Sequence, residues 1–262
     1  MIIDTHCHLD NKKYLDDVDL VITNAIKGGI KAFLIPGADL NDLPRAVMLA
    51  EKYPEVFFSV GVHPYDIKGY NETIMETYVT HPKCIAIGEC GLDYYRLPED
   101  KEEKEEEIKL QKEVFAAQIE FAKKYSKPLI VHIRDASNDS KQMLIEHNAK
   151  EIGGVLHCYN ADEQLLSLAN HNFYFGIGGV LTFKNARKLI QVLPKIPQDK
   201  LLLETDSPYL TPHPFRGERN EPLYTQYVAK TMSELLEISL DEIKNLTTQN
   251  AKNLFKEFSS LN

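Results

Sequence analysis

The stretch MIIDTHCHLD, residues 1–10, places two histidines two positions apart directly after a short apolar run. Such a run, here predicted as a strand over residues 2–5, is typical of a buried strand in a parallel sheet. Side chains alternate along an extended chain, so His6 and His8 should point to one face and Cys7 to the other. A small buried hydrophobe is the expected role of Cys7. A His-x-His pair is weak evidence alone, so its meaning depends on the rest of the chain.

Short apolar runs of the same kind recur through the sequence, and they predict eight strands, at residues 2–5, 32–36, 56–62, 84–88, 128–133, 154–157, 173–177 and 201–204. Amphipathic stretches lie between them, including residues 15–28, 43–52, 103–125 and 185–193. Strands that alternate with helices indicate βαβ units and a parallel sheet. Eight such units in 262 residues favour a TIM-type (β/α)₈ barrel over an open doubly wound sheet. No shift in composition marks a boundary, so a single domain over residues 1–262 is predicted.

Two further segments have local interpretations. The charged run 99–107 is predicted as a solvated loop and first helical turn, with acidic residues near the positive end of the helix dipole, and partner binding is the alternative. After Pro222 the chain is predicted to be helical, with a capping box formed by Ser239 and Glu242. This tail is interpreted as the last barrel helix plus an addition.

Charge and cysteine content restrict the classes of function. The formal net charge of −9 argues against broad electrostatic coating of nucleic acid, although a local basic cleft or bound cations remain compatible with it. The four cysteines contain no CxxC pair and do not resemble a disulfide framework. The first residues have neither a basic n-region nor a long apolar stretch, so no signal peptide and no membrane span are predicted. A soluble cytoplasmic protein without a stable protein partner is expected.

Residues that can bind metals stand at the predicted strand ends. Glu89 ends the fourth strand, His132 lies near the end of the fifth, His157 ends the sixth and Asp206 follows the eighth. Each has an ordinary alternative, as a helix cap, a hydrogen-bonded core histidine or the start of a turn. In a barrel, however, these strand ends converge on the face where active sites lie. Histidines and carboxylates buried together would be costly without a cation or compensating hydrogen bonds, so the set favours a metal site.

The candidate ligands outnumber those that one tetrahedral ion needs: His6, His8, Glu89, His132, His157 and Asp206. They suit two divalent ions bridged by Glu89, with the first histidine pair on one ion and the second pair on the other. Asp206 would bind the first ion and orient or deprotonate the attacking water. Mixed imidazole and carboxylate ligands suit zinc, manganese or iron, and magnesium is possible.

Seven motifs run in order over nearly the whole chain: DTHCHLD (4–10), GVHP (61–64), GECGLD (88–93), HIRD (132–135), HCY (157–159), ETDSP (204–208) and RGERNEP (216–222). In these motifs the sequence resembles the TatD-type deoxyribonucleases, a branch of the metal-dependent amidohydrolase superfamily. The resemblance implies a TIM-type barrel, a divalent-metal site at the residues above and hydrolase activity on DNA. Members of the family are described as magnesium-dependent 3′ to 5′ exonucleases, and related ones have been given other substrates, including aminoacyl-tRNA.

Four other motif residues are candidates for substrate contact or support. His63 could orient a substrate phosphate or donate a proton to the leaving group, or it could be a turn histidine. Arg134 and Arg216 are candidate phosphate contacts because guanidinium matches phosphate oxygens, although Arg216 could instead pin its loop through a salt bridge. Asp93 could hold a ligand histidine or start a helix.

The remaining motif residues have less definite roles. Arg219 could add a phosphate contact, and Asn220 and Glu221 are expected to shape their loop. Tyr94 and Tyr95 could stack on a base or simply pack at the rim.

The leading functional prediction is a deoxyribonuclease of the 3′ to 5′ exonuclease type, acting on single-stranded or frayed DNA ends. Asp206, Glu89 and His63 are the predicted catalytic residues. An aminoacyl-tRNA deacylase, or another ester or amide hydrolase, is the alternative, and a non-catalytic binding protein is a third possibility that the intact ligand set disfavours. The basic residues His63, Arg134 and Arg216 favour phosphate.

Overall fold

Eight parallel strands pair in sequence order in the computed structural model, which describes residues 1–260. They are β1 (Ile2–Asp4), β2 (Ile30–Ile35), β3 (Val56–Val60), β4 (Cys84–Asp93), β5 (Leu129–Arg134), β6 (Gly154–Leu156), β7 (Phe173–Ile177) and β8 (Leu201–Leu203). The first and last strands meet where the Thr5 amide donates to the Leu203 carbonyl at 3.1 Å. Just beyond, Cys7 and Ser207 form an isolated parallel β-bridge. The predicted TIM-type barrel is therefore confirmed, while residues 261 and 262 of the predicted domain lie outside the described residues.

Eight α-helices lie along the described chain: α1 (Val18–Lys27), α2 (Leu43–Lys52), α3 (Glu72–Val79), α4 (Lys101–Tyr125), α5 (Ser137–Glu146), α6 (Arg187–Val192), α7 (Thr225–Leu236) and α8 (Leu240–Leu254). Between β6 and β7 the connection is a 3₁₀ helix, Glu163–His171. The charged run opens α4, where Asp100 accepts hydrogen bonds from the backbone amides of Glu102 and Glu103. The capping box of Ser239 and Glu242 starts α8. Both local predictions are confirmed.

β4 extends further past its predicted end than any other strand. The prediction ended β4 at residue 88, but the strand continues to Asp93, so Glu89 lies inside it rather than at its end. The register of β4 against β5 shifts between Ile87 and Cys90, and such a bulge re-aims a side chain. Gly88 has φ +138°, and a Cβ there would lie 2.5 Å from the Ile130 carbonyl oxygen. Only glycine fits at this position, where it permits the bulge that lets the strand continue past residue 88.

Five strands, β1, β2, β3, β6 and β8, end earlier than predicted, and candidate ligands lie just beyond the ends of β1 and β6. β1 ends at Asp4 and β6 ends at Leu156, so His6, His8 and His157 follow their strands. Cys7 is fully buried and directs its sulfur toward the Leu34 carbonyl oxygen, 3.7 Å away. The two histidines of the first motif thus point away from the cysteine, as predicted.

The barrel interior is filled by apolar side chains at alternate strand positions: Ile3, Leu34, Phe57, Ile85, Ile130, Val155 and Leu202. Phe255 and Phe258, which follow α8, belong to the same cluster, and the ring centroids of Phe57 and Phe258 lie 5.0 Å apart. Asn250 of α8 donates to the Leu201 carbonyl at the start of β8. The C-terminal segment therefore closes the amino-terminal end of the barrel, opposite the mouth formed by the carboxyl ends of the strands.

Within residues 1–260, no helix combines the length and the apolar character that crossing a lipid bilayer requires.

Candidate metal centre

At the carboxyl ends of the strands, ring nitrogens and carboxylate oxygens point at one another. His6 Nε2 lies 3.3 Å from His8 Nε2 and 3.3 Å from Glu89 Oε2. Asp206 Oδ1 lies 3.4 Å from His8 Nε2 and 3.7 Å from His6 Nε2. The residues predicted for the first ion are thus brought together on one side of the Glu89 carboxylate.

The other carboxylate oxygen of Glu89 faces a second group of rings. Its Oε1 lies 3.0 Å from His132 Nδ1, 3.6 Å from His63 Nε2 and 3.8 Å from His157 Nε2. All six predicted ligands therefore meet, and His63, predicted only as a catalytic and substrate-binding residue, joins them. Glu89 stands between the two groups because the bulge in β4 turns it into the barrel mouth.

The histidines divide differently from the predicted pairs. His157 stacks on His6 with ring centroids 3.4 Å apart, whereas His132 and His157 are 6.4 Å apart. His132 lies closer to His63, at 4.4 Å. Three compact donor sets result, each with its ligand atoms within 4.8 Å: His6, His8 and Asp206; His6, Glu89 and His157; His63, Glu89 and His132.

The protonation of Glu89 and His6 fits a divalent cation. Burial alone would raise the pKa of Glu89, but His157, His6 and His63 hold it well below its usual range. Burial, with the neighbouring His157, lowers the pKa of His6, and the Nδ1 atom of that buried ring has no hydrogen-bond partner within residues 1–260. Ionised carboxylates and neutral imidazoles packed together are the donor set that zinc and similar divalent ions prefer.

His157 adds a further indication. Burial opposes a charge on this ring, but Glu204, Glu89 and Asp206 outweigh burial and raise its pKa to about 10. A proton on His157 therefore balances part of the surrounding negative charge when no cation does so. Cation binding would take over that role and release the proton.

Carboxylates behind the rings fix their orientation. Asp93 Oδ2 lies 2.9 Å from His132 Nε2, and Asp93 Oδ1 accepts a hydrogen bond from the Tyr95 amide. His132 therefore directs Nδ1 toward Glu89. Asp93 belongs to β4 and Asp100 caps the next helix, so the alternative of Asp93 as a helix start is wrong.

Glu204 is a site residue whose role the sequence analysis did not identify. Its Oε1 lies 3.2 Å from His157 Nδ1 and accepts a hydrogen bond from the Cys158 amide at 2.6 Å. Gly176 makes room for it, because a Cβ there would collide with the Glu204 carboxylate. The available signal was a carboxylate directly after the apolar strand β8.

A buried hydrogen-bond network joins the ends of β1 and β8. Asp4 accepts from the Thr205 hydroxyl at 2.6 Å and from the Thr205 amide at 3.0 Å. The Asp206 amide donates to the His6 carbonyl at 2.9 Å. These contacts hold His6 and Asp206 side by side.

The predicted phosphate contacts occupy different environments. Arg134 is exposed, its guanidinium carbon lies 3.6 Å from the Tyr95 ring centroid, and it lines the cavity at the mouth. Arg216 is also exposed, but it packs over Phe183 at 3.8 Å and does not line that cavity. Arg219 is held by ion pairs to Asp17 and Glu221, at 2.7 and 2.9 Å.

The remaining predicted rim residues have structural contacts. Buried Asn220 donates to the carbonyls of Thr205 and Tyr209, which supports the interpretation that it shapes its loop. Tyr94 donates to Asp139 at 2.8 Å, whereas Tyr95 is 59% exposed.

A cavity of about 510 Å³ opens beside His132, His157 and Asp206. It extends from the candidate metal ligands over the loops that follow β6 and β7. The site therefore combines a cluster of side chains that could hold a metal ion with space for a substrate group.

Known proteins resemble this chain over almost its whole length. A family model described as TatD related DNase matches residues 3–256. The uncharacterized metal-dependent hydrolase YabD of Bacillus subtilis is 41% identical, with 98% of this chain and 99% of that protein covered. The uncharacterized metal-dependent hydrolase YcfH of Escherichia coli is 36% identical, with 97% and 95% covered.

Solved structures of TatD proteins are also similar to this chain over almost its whole length. The Escherichia coli TatD homolog YjjV superimposes with a TM-score of 0.87 at 27% identity, covering 97% of this chain and 98% of the other. A TatD family hydrolase from Entamoeba histolytica gives a TM-score of 0.84 at 26% identity, covering 97% of each chain.

Proposed function

Because the chain belongs to the TatD related DNase family and is a metal-dependent hydrolase, we propose that it hydrolyses phosphodiester bonds at DNA ends with two divalent cations. The observation that carries this proposal is the position of Glu89. One of its oxygens faces His6 at 3.3 Å and the other faces His132 at 3.0 Å. A carboxylate placed in this way can bridge two ions.

The candidate ligands can be assigned to two cations. His6, His8 and Asp206 would hold one ion together with Glu89 Oε2. His132 Nδ1, Glu89 Oε1 and His157 Nε2 would hold the other. Such ions, when bound, polarise a phosphoryl oxygen and make water more acidic.

Asp206 has the position of the general base. The pKa of its carboxyl lies below the usual range, because a hydrogen bond from His8 and the neighbouring histidines outweigh the opposing effect of burial. It also lines the cavity in which a substrate and a water would meet. Asp206 can therefore hold that water by hydrogen bonding and accept its proton.

His63 and Arg134 would bind the substrate phosphate. His63 Nδ1 accepts the Tyr65 amide at 3.1 Å, so a neutral ring carries its proton on Nε2 and presents it to the site. That N–H can donate to a phosphate oxygen. Arg134 lies on the cavity wall with its guanidinium supported by Tyr95. Arg216 is a more distant contact, suited to a nucleotide beyond the first.

Single-stranded or frayed ends suit this mouth better than a long duplex. The net charge is −9, and Arg219 is already neutralised by two carboxylates. Among the residues that line the cavity, Arg134 and Lys188 are the arginine and lysine side chains, so the enzyme would hold only the nucleotides next to the site.

The decisive assay uses protein stripped with a chelator and reloaded separately with magnesium, manganese or zinc. Substrates are linear single-stranded DNA labelled at either end, closed circular single-stranded DNA, a small phosphodiester and an aminoacyl-tRNA. We expect metal-dependent shortening of the linear strand from its 3′ end. His132→Ala should abolish turnover, whereas the matched control His147→Ala, at a ring paired with Glu120 outside the site, should not.

Equal cleavage of circular and linear DNA would refute action at ends. Efficient turnover of the aminoacyl ester without turnover of DNA would replace the proposal with an ester hydrolase. Full activity of the metal-free protein would refute the role of the cations.

A further inference from the structure

The cavity at the mouth extends well beyond the candidate metal ligands. It is lined by His132, His157 and Asp206, and also by apolar side chains on the loops after β6, β7 and β8 and on α6. These apolar residues are Ala161, Val180, Ala186, Leu189 and Leu210. A single space is therefore lined by both kinds of residue, and we call the part formed by the candidate ligands its polar end and the part formed by these five side chains its apolar end.

The size of the cavity exceeds what a phosphate group needs. Its volume of about 510 Å³ lies within the range of pockets that enclose small organic ligands, roughly 300–1,000 Å³. A phosphate at the polar end would leave the apolar end open. Some larger part of the substrate, with apolar faces, should fill it.

Two positively charged side chains indicate what kind of substrate group would fill the cavity. Arg134 and Lys188 both line the cavity, and Lys188 belongs to α6 near the apolar end. Exposed Asn185 lies at the start of the same helix and offers amide groups for hydrogen bonding. An apolar wall bordered by cations and an amide suits a nucleoside attached to phosphate better than it suits a purely aliphatic chain.

We propose, on the basis of the proposed function, that this cavity binds the terminal nucleoside of the DNA strand. The base lies against Val180, Leu189 and Leu210, and the phosphate that links it to the rest of the strand lies toward Asp206. Binding of the base places the first phosphodiester bond at the metal centre. The enzyme thus selects an end because an internal base cannot enter the cavity without bending the strand on both sides.

The test compares oligonucleotides that differ at one terminal residue. One ends in an ordinary nucleotide, one carries an abasic residue at its 3′ end and one carries it at its 5′ end. We expect kcat/KM of the wild-type holoenzyme to fall about tenfold, or roughly 1.4 kcal/mol, when the base is missing from the end that is cleaved.

Val180→Trp, which fills the apolar end, should reduce this discrimination to less than about threefold and weaken binding of thymidine 5′-monophosphate, measured by calorimetry. The metal content of the loaded variant should equal that of the wild type, because Val180 is not one of the candidate ligands. Ile190→Trp is the matched control, since Ile190 is exposed on α6 and does not line the cavity. If Val180→Trp fails to fold, Asn185→Trp provides the same test from an exposed position.

The outcomes separate this inference from the proposed function. If the wild type cleaves ordinary and abasic ends equally, the nucleoside cavity is refuted while the nuclease stands. If neither DNA nor the small phosphodiester is hydrolysed with any metal, the proposed function itself fails. If an aminoacyl ester alone is hydrolysed and Val180→Trp impairs it, the cavity binds an acyl group and the inference is wrong.

Discussion

Replacement of Asp93 by asparagine tests how the protein orients one half of the metal centre. Asp93 is buried, with its Oδ2 2.9 Å from His132 Nε2 and its Oδ1 bonded to the Tyr95 amide. In Asp93→Asn the amide oxygen can keep the bond to Tyr95, and the amide nitrogen then faces His132. His132 would have to accept at Nε2 and carry its proton on Nδ1, the atom that points at Glu89.

The expected loss of metal affinity follows from this change of tautomer. Loss of a carboxylate that supports a ligand histidine weakens metal binding by about 10- to 100-fold. We expect the upper end of that range, because the variant removes the charge and also protonates the ligand atom. A loss of about 100-fold corresponds to roughly 2.7 kcal/mol at the ion near His132. The ion held by His6 and His8 should change by less than about threefold.

Competition with a fluorescent chelator, fitted to two sites, measures both affinities. The matched control is Asp139→Asn, since Asp139 accepts a hydrogen bond from Tyr94 and contacts no candidate ligand. Unchanged affinity at both sites, or an equal loss at both, would refute the assigned orientation of His132.

The remaining predictions concern the bridge, the base, the barrel end and the DNA footprint. Glu89→Gln should lose both ions whereas His8→Ala loses one, and unchanged stoichiometry by metal analysis would rule out the bridge. Asp206→Asn should cut turnover on the order of 100-fold or more, with a smaller change in DNA affinity; near-normal turnover would assign the base to another group. Phe258→Ala should lower the free energy of unfolding by about 3–5 kcal/mol in urea titrations, because a fully buried ring is removed; a loss below about 1 kcal/mol would contradict its role in closing the barrel. The affinity for single-stranded DNA should fall with salt with a logarithmic slope between about −1.4 and −2.8, equivalent to two to four phosphates, and a slope steeper than about −4 would indicate a longer footprint.

Much of the fold was predictable because each strand is a short apolar run bounded by helix or turn signals. All eight predicted strands occur, and the predicted helix at 43–52 has the observed bounds of α2, Leu43–Lys52. The extension of β4 was not predictable from alternation. A bulge at Glu89 breaks the period of two, and its glycine neighbour is also the usual residue of a turn.

The location of the site follows from topology, whereas its internal arrangement does not. Once the strands form a barrel, ligands at their carboxyl ends must meet, so six candidates could be named from the sequence. Whether His157 lies beside His6 or beside His132 depends on the orientation of its ring, which Glu204 contacts from behind. The spacing of residues in the sequence does not specify such side-chain orientations. In the same way, the motif at residues 216–222 does not show which of its two arginines is free to bind phosphate. The conformation of the loop places Arg219 against Asp17.

The central claim is that Glu89 bridges two divalent cations. Anomalous diffraction from crystals of the manganese-loaded protein tests it most directly. We expect two peaks about 3.5–4 Å apart, one on each side of the Glu89 carboxylate, with His8 nearest the first and His132 nearest the second. A single peak, or two peaks that Glu89 does not contact, would contradict it.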